Sequence, residues 1–119
     1  MTALGWGRIV NVGSVFGQAA PSPGMSVYCG TKFALAGLTH AWSRDLGAAG
    51  ITVNMVQPAL IQAEPFPLEG PAVDAKERFV SVGRFGRGDD VAEAIAYLAS
   101  PAASYVNGVC LNVDGGWSA

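Results

Sequence analysis

Apolar and polar positions along the chain change period several times. Arg8-Ile9-Val10-Asn11-Val12-Gly13 is a short β-rich run ended by glycine, which predicts a strand followed by a loop. Residues 17–25 hold Gly17, Pro21, Pro23 and Gly24 and read as a turn-rich connection. Ala34, Leu35, Leu38, Trp42 and Leu46 then recur at steps of three and four, predicting a helix from about Ser26 to Leu46. Ser26 is the expected N-cap, with Gly47 or Gly50 as the stop. Ile51-Thr52-Val53-Asn54-Met55-Val56 predicts a second strand, stopped by Pro58. The four prolines between Pro58 and Pro71 predict irregular chain there, and Ala72 to Val82 a short helix. Asp89-Asp90 followed by Val91, Ala94, Ile95 and Leu98 predicts another helix, with capping-box spacing between Asp90 and Glu93. Val109-Cys110-Leu111-Asn112-Val113 closes the series as a strand before Asp114-Gly115-Gly116. The order β-α-β-loop-α-α-β, three strands and about three helices, argues for an α/β fold with a parallel sheet covered on both faces. Burial on both sides explains apolar strands without strict alternation.

Composition adds a tension to this pattern. Of 119 residues, half are apolar and only 13% charged, against a usual ~25%. That excludes a disordered chain. A formal net charge of −2 gives no basic footprint for nucleic acid. The uncharged stretch between Arg8 and Lys32 is broken by Asn11, Gln18, Pro21, Ser22 and Pro23, too polar for a membrane span or a signal peptide. Cys29 and Cys110 make neither a disulfide framework nor a metal-ligand pattern, so a cytoplasmic setting with reduced thiols is expected. A chain this short needs many polar residues to cover its surface. This one has few, and residues 1–63 carry only Arg8, Lys32, Arg44 and Asp45. Either it buries surface against something else, or it is a piece of something larger.

One pair of residues carries candidate chemistry. Tyr28 and Lys32 stand four apart on the predicted helix, so both project from one face. A tyrosine near its unperturbed pKa of about 10 is a poor acid or base at neutral pH. A nearby ammonium favours the phenolate, so Lys32 is placed to make Tyr28 a general acid/base. Ser14, in the loop after the first strand, is placed to donate a hydrogen bond to a substrate oxygen. Taken alone, a Tyr and a Lys at this spacing are more often a surface contact. Cys29 reads as a small buried filler before a reactive thiol. His40, mid-helix, reads as packing or exposed surface. Trp6, Trp42 and Trp117 read as core or interface aromatics and not a ligand cage.

The ordered set Gly7-Arg8-Ile9-Val10-Asn11-Val12-Gly13-Ser14, Tyr28-Cys29-Gly30-Thr31-Lys32, Gly50-Ile51-Thr52-Val53-Asn54, Pro58, Gly83-Arg84-Phe85-Gly86 with Asp89-Asp90-Val91-Ala92, and Asp114-Gly115-Gly116 resembles the short-chain dehydrogenase/reductase family, in its 3-oxoacyl-acyl-carrier-protein-reductase-like branch. The resemblance runs over the whole chain as a single partial domain, 1–119. It implies the C-terminal half of a Rossmann-like doubly wound parallel sheet. It also implies an NAD(P)-dependent oxidoreductase that moves hydride between a nicotinamide, NAD or NADP, and a small carbonyl or alcohol substrate. In that family Tyr28 would be the proton donor or acceptor, Lys32 would assist it and bind the nicotinamide ribose, and Ser14 would orient the substrate oxygen. Pro58, Ala59 and Ile61 would line the nicotinamide, and Gln62 to Gly83 would form the substrate loop.

The family's glycine-rich phosphate turn would lie before Ser14, where this sequence has none, and the Asn of its proton relay would also lie upstream and is absent. The family's Pro-Gly after the second strand is Pro58-Ala59, and Ala63 replaces a nearby Thr. A homo-oligomer, or association with another chain that supplies the dinucleotide half, is therefore expected, with contact around the Ser26–Leu46 helix or an exposed sheet edge. The alternative is a truncated, non-catalytic remnant acting as an oligomerisation or interaction module.

Overall fold

A computed structural model describes residues 1–62, 70, 73 and 77–119. The elements are β1 (Gly7–Val12), α1 (Ser26–Gly47), β2 (Ile51–Pro58), β3 (Ile61–Gln62), β4 (Gly86–Arg87), α2 (Gly88–Ala99) and β5 (Cys110–Val113). Short 3-10 turns lie at Thr2–Leu4, Val15–Gly17 and Pro101–Ala103. β1, β2 and β5 form a parallel sheet in the order β1-β2-β5. Register pairs Val12 with Val56 and Pro58 with Val113.

β2 sits in the middle, buried at every residue from Ile51 to Gln57. A strand covered on both faces has no polar face to expose, which is why its sequence does not alternate. Of its three buried polar side chains, Asn54 and Gln57 are hydrogen-bonded. Asn54 Nδ2 donates to the Val106 carbonyl at 2.8 Å and its Oδ1 accepts from Val109 N–H at 3.0 Å, stitching the turn before β5. Thr52 Oγ1 is buried with no partner among the described residues. Asn11 of β1 reaches Thr39 of α1, whereas Arg8 reaches the Ser100 carbonyl just past α2. Side chains alternate across a strand, so odd and even positions put the two helices on opposite faces. α1 buries small residues, Cys29, Thr39 and Ser43, against the sheet. α2 turns Val91, Ala94, Ile95 and fully buried Leu98 inward and leaves Ala92, Glu93, Ala96 and Tyr97 outside.

The α/β architecture, the parallel sheet and its three main strands match the sequence reading, and three details correct it. Residues 58–71 are not wholly irregular, because Ile61–Gln62 pairs with Gly86–Arg87 as a second, two-stranded parallel sheet. Helix α1 is capped at Met25 without a side-chain bond, and Ser26 is its first residue. The N-cap of α2 is Arg87, so Asp90 is not the cap. It lies a turn inside and reaches back to the Arg87 N–H at 2.7 Å, satisfying one of the free donors of the first turn. The Arg84 guanidinium grips the same carboxylate at 2.7 and 2.9 Å. These two contacts, the Arg84 bond foremost, hold the Asp90 carboxyl well below the usual carboxylate range. Of the expected helix at 72–82, Val73 and Glu77 are helical, whereas 78–82 are turn and bend, so the helix does not reach Val82; 72 and 74–76 lie outside the described residues.

Two glycines separate backbone need from tolerance. Gly50, between α1 and β2, has φ +74°, and a Cβ there would come within 2.1 Å of the Gly5 carbonyl oxygen. Gly37 lies mid-helix with open space around it. Gly50→Ala should destabilise the fold by about 2 kcal/mol, while Gly37→Ala should stabilise it by up to about 1 kcal/mol. Urea midpoints of the two variants measure this, and opposite signs are expected.

Candidate functional site

The parallel register brings the carboxyl ends of β1, β2 and β5 to one edge of the sheet, where open α/β sheets bind ligands. Ser14 follows β1 there. It is buried and extended, and its Oγ accepts the Phe16 N–H at 3.2 Å, capping the 3-10 turn Val15–Gly17. That turn lies against α1. A Cβ on Gly17 would stand 2.9 Å from the Lys32 carbonyl oxygen, so only glycine permits the approach. The Phe16 ring meets the Tyr28 ring edge-on, centroids 6.4 Å apart. Lys32 Nζ lies 5.6 Å from the Tyr28 ring centroid and donates to the Val12 carbonyl at 3.3 Å. Ser14, Tyr28 and Lys32 thus converge at the end of β1, with the Tyr28 ring 43% exposed. Pro58 ends β2, and the Ala59 N–H donates to the Val113 carbonyl at 3.4 Å. Ile61 pairs with Gly86, whose N–H bonds the Leu60 carbonyl at 3.1 Å. In a parallel ladder this turns the Ile61 amide away from β4.

A polar network that sequence reasoning missed joins these ends. Fully buried Gln57 donates from Nε2 to the Ser14 carbonyl at 3.2 Å and accepts from Gln18 Nε2. Gln18 Nε2 also donates to Asn112 Oδ1 at 2.7 Å. Asn112 Nδ2 donates to Ser118 Oγ at 2.8 Å, and Ser118 Oγ donates to the Asp114 carboxylate. Asp114 further accepts the Gly116 N–H at 2.9 Å and the Ser118 N–H at 3.1 Å. Partial burial pushes the Asp114 carboxyl up, but the bonds from Ser118 and Gly116 outweigh it and leave it below its ordinary value. The only signal in the sequence was glutamine at the buried end of a largely apolar strand.

Beside the Ser14 loop opens a cleft of about 840 Å³. Phe16, Met25, Leu60, Phe79 and Trp117 form its apolar walls, and Gln18, Ser22 and Ser118 contribute polar atoms. Phe79 and Trp117 pack edge to face, centroids 6.4 Å apart. Trp117 is therefore a wall of a ligand-sized cleft, which corrects the reading of all three tryptophans as core or interface. Trp6 is half exposed under the Arg8 guanidinium, and Trp42 is also exposed. Cys29 is buried, as expected of a filler, and His40 is exposed with its Nε2 3.6 Å from Cys110 Sγ. Burial pushes the Cys110 thiol up. Among the described residues no helix is long and apolar enough to cross a membrane.

The family model described as enoyl-(acyl carrier protein) reductase matches residues 1–118. The chain belongs to the short-chain dehydrogenase/reductase family. Short-chain dehydrogenase/reductase relatives include the 3-oxoacyl-acyl-carrier-protein reductase FabG of Pseudomonas aeruginosa, 37% identical over 98% of this chain and 47% of its own. A cyclic-di-GMP-binding biofilm dispersal mediator protein of Escherichia coli is 40% identical over 95% of this chain and 48% of its own. Among solved structures, a short-chain dehydrogenase of Burkholderia cenocepacia in complex with NADP superposes with a TM-score of 0.87 at 39% identity, over 94% of this chain and 46% of that one. The chain spans about half the length of the curated relatives it matches.

Because the folded state holds Asp114 ionised more firmly than the unfolded chain does, its contribution is present at neutral pH. It is lost as pH falls from about 4 through the lower folded value. Asp114→Asn should lower the thermal midpoint at pH 7, and the gap from the unmodified chain should narrow as pH drops below about 4. Midpoints by circular dichroism from pH 7 to pH 2.5 give the comparison.

Proposed function

We propose that this chain is the catalytic and substrate-binding part of an NAD(P)-dependent short-chain oxidoreductase acting on a carbonyl/alcohol pair. The observation that carries the reading is the convergence of Ser14, Tyr28 and Lys32 where β1 ends, beside an apolar cleft. In carbonyl reduction Ser14 Oγ orients the substrate oxygen by a hydrogen bond, and Tyr28 gives that oxygen its phenolic proton. The Lys32 ammonium stabilises the phenolate left behind. In alcohol oxidation the same groups run in reverse, with Tyr28 taking the proton. When bound, the nicotinamide supplies or accepts the hydride.

The donors suit the nicotinamide end of such a cofactor. Lys32 Nζ spends one bond on Val12, which leaves two for ribose hydroxyls. Pro58 and Ala59 offer an apolar face, and the Ile61 amide points away from its ladder partner. No glycine-rich turn opens a helix after β1, so the phosphate end would need donors from elsewhere. A family relative holding NADP supports the cofactor class.

A second reading, an association module without turnover, is favoured by one observation. β1 is paired on one side only among the described residues, and Val27, Leu38 and Trp42 of α1 lie exposed. On the helix these residues and Tyr28 flank the side on which Thr39 meets Asn11 of β1, so apolar surface and free edge adjoin. Exposed apolar stripes and open edges are where chains pair.

Oxidation of NADPH or NADH by the chain, followed at 340 nm with a carbonyl panel, should be saturable. Tyr28→Phe should cut turnover by about a hundredfold or more while leaving cofactor binding near unchanged. No saturable cofactor signal up to millimolar concentration rejects independent catalysis. For the second reading, Leu38→Glu with Trp42→Glu should shift a self-associated chain to monomer in sedimentation velocity. A monomeric parent chain at the same concentration counts against it.

A further inference from the structure

We infer that the cleft beside the Ser14 loop takes an uncharged carbonyl or alcohol compound with an aromatic or hydrocarbon body, and that Trp117 is the wall that selects it. This deepens the oxidoreductase reading and rests on it for the word carbonyl, but not for the binding itself. The volume, about 840 Å³, suits a small organic molecule. Its walls come from three separate places. Phe16 and Met25 flank the Ser14 connection, Leu60 follows β2, and Phe79 and Trp117 close the far side as an edge-to-face pair. Phe16 also touches the Tyr28 ring, so a ligand lying along the aromatic wall is led toward that phenol.

The polar atoms of the cleft are nearly all spent within the protein. Gln18 is bonded to Gln57 and Asn112, and Ser118 to Asn112 and Asp114. No charged side chain is among the described residues that line it. A carboxylate or phosphate entering here would lose hydration without gaining a cation from these described walls. A polyol would leave most of its hydroxyls unpaired after they had given up their water. An aromatic ring loses little on leaving water and gains edge and face contacts with Trp117 and Phe79.

Trp117 is held, not merely present. Gly115 and Gly116 take φ of +62° and +82°, a tight turn that L side chains resist. The Trp117 N–H bonds the Asp114 carbonyl at 3.1 Å, and Ser118 anchors the next residue to the network beneath. A wall fixed at its backbone on both sides discriminates shape better than a mobile one.

The indole N–H resonances of the full chain test this, with the Trp117 signal assigned by Trp117→Phe. Acetophenone should shift the Trp117 signal saturably and leave Trp6 and Trp42 unmoved. 4-Acetylbenzoate, which adds one charge, and dihydroxyacetone, which replaces the ring by hydroxyls, should need at least tenfold higher concentration. Trp117→Ala and, separately, Phe79→Ala should each weaken acetophenone binding about tenfold by ligand-observed NMR, while Trp117→Phe keeps most of it. Dispersed amide spectra for at least one of these variants secure the comparison. Equal response to 4-acetylbenzoate, or unchanged binding in a folded Trp117→Ala or Phe79→Ala chain, overturns the inference. NADPH oxidation in the same samples separates the two claims. Selective binding without turnover rejects independent catalysis by this chain and leaves the cleft's selectivity standing, whereas turnover that prefers dihydroxyacetone removes the selectivity alone.

Discussion

The parallel pairing of β2 between β1 and β5 is the constraint on which everything else rests. Parallel strands present all their carboxyl ends at one edge, so residues far apart in sequence emerge side by side: Ser14 after Val12, Ala59 after Pro58, and the Asp114 turn after Val113. β2 is buried along seven successive residues, Ile51 to Gln57. A slip in register would strand Asn54 without its two partners in the turn at 106–109 and separate Gln57 from the Ser14 carbonyl. Burial thus fixes the sheet, and the polar residues of β2 fix which alignment of it survives.

The site is consequently a place where backbone geometry has been settled by packing before any ligand arrives. Glycine at 17 lets the Ser14 turn lie directly on the helix turn that carries Lys32, and Phe16 is wedged against Tyr28. The amide network from Gln57 through Gln18 and Asn112 to Ser118 fastens the loop after β1 to the turn after β5. The two opposite walls of the cleft, Phe16 and Trp117, therefore share one scaffold of hydrogen bonds.

Much of this was legible in the residues, and the rest was hidden for physical reasons. The runs at 8–13, 51–56 and 109–113 are strands because β-branched residues crowd there, and the three-to-four spacing of Leu35, Leu38, Trp42 and Leu46 does mark a helix. The pairing of Ile61–Gln62 with Gly86–Arg87 is two residues long, shorter than any period can reveal. Ser26 looked like a cap because serine usually caps, but the chain enters the helix one residue earlier, at Met25. Tyr28 and Lys32 share a face, as their spacing on a helix requires, but spacing alone reads more often as a surface contact, and the ordered set of motifs around them singled the pair out. The cleft was not. Phe16, Phe79 and Trp117 are brought together only by the fold, and nothing local in a tryptophan near the end of the sequence separates a ligand wall from a core filler.

Lys32 also ties the chemistry to the shape of the sheet. The Gly7 and Gly13 N–H groups bond the Gly50 and Val56 carbonyls, so odd positions of β1 face β2 and even positions face outward. The carbonyl that holds Lys32 belongs to Val12, the last of those outward-facing residues. A strand laid along this edge would meet the ammonium at its final rung and have to share that oxygen or turn it loose. The reach of the lysine thus rests on a carbonyl that no strand uses among the described residues.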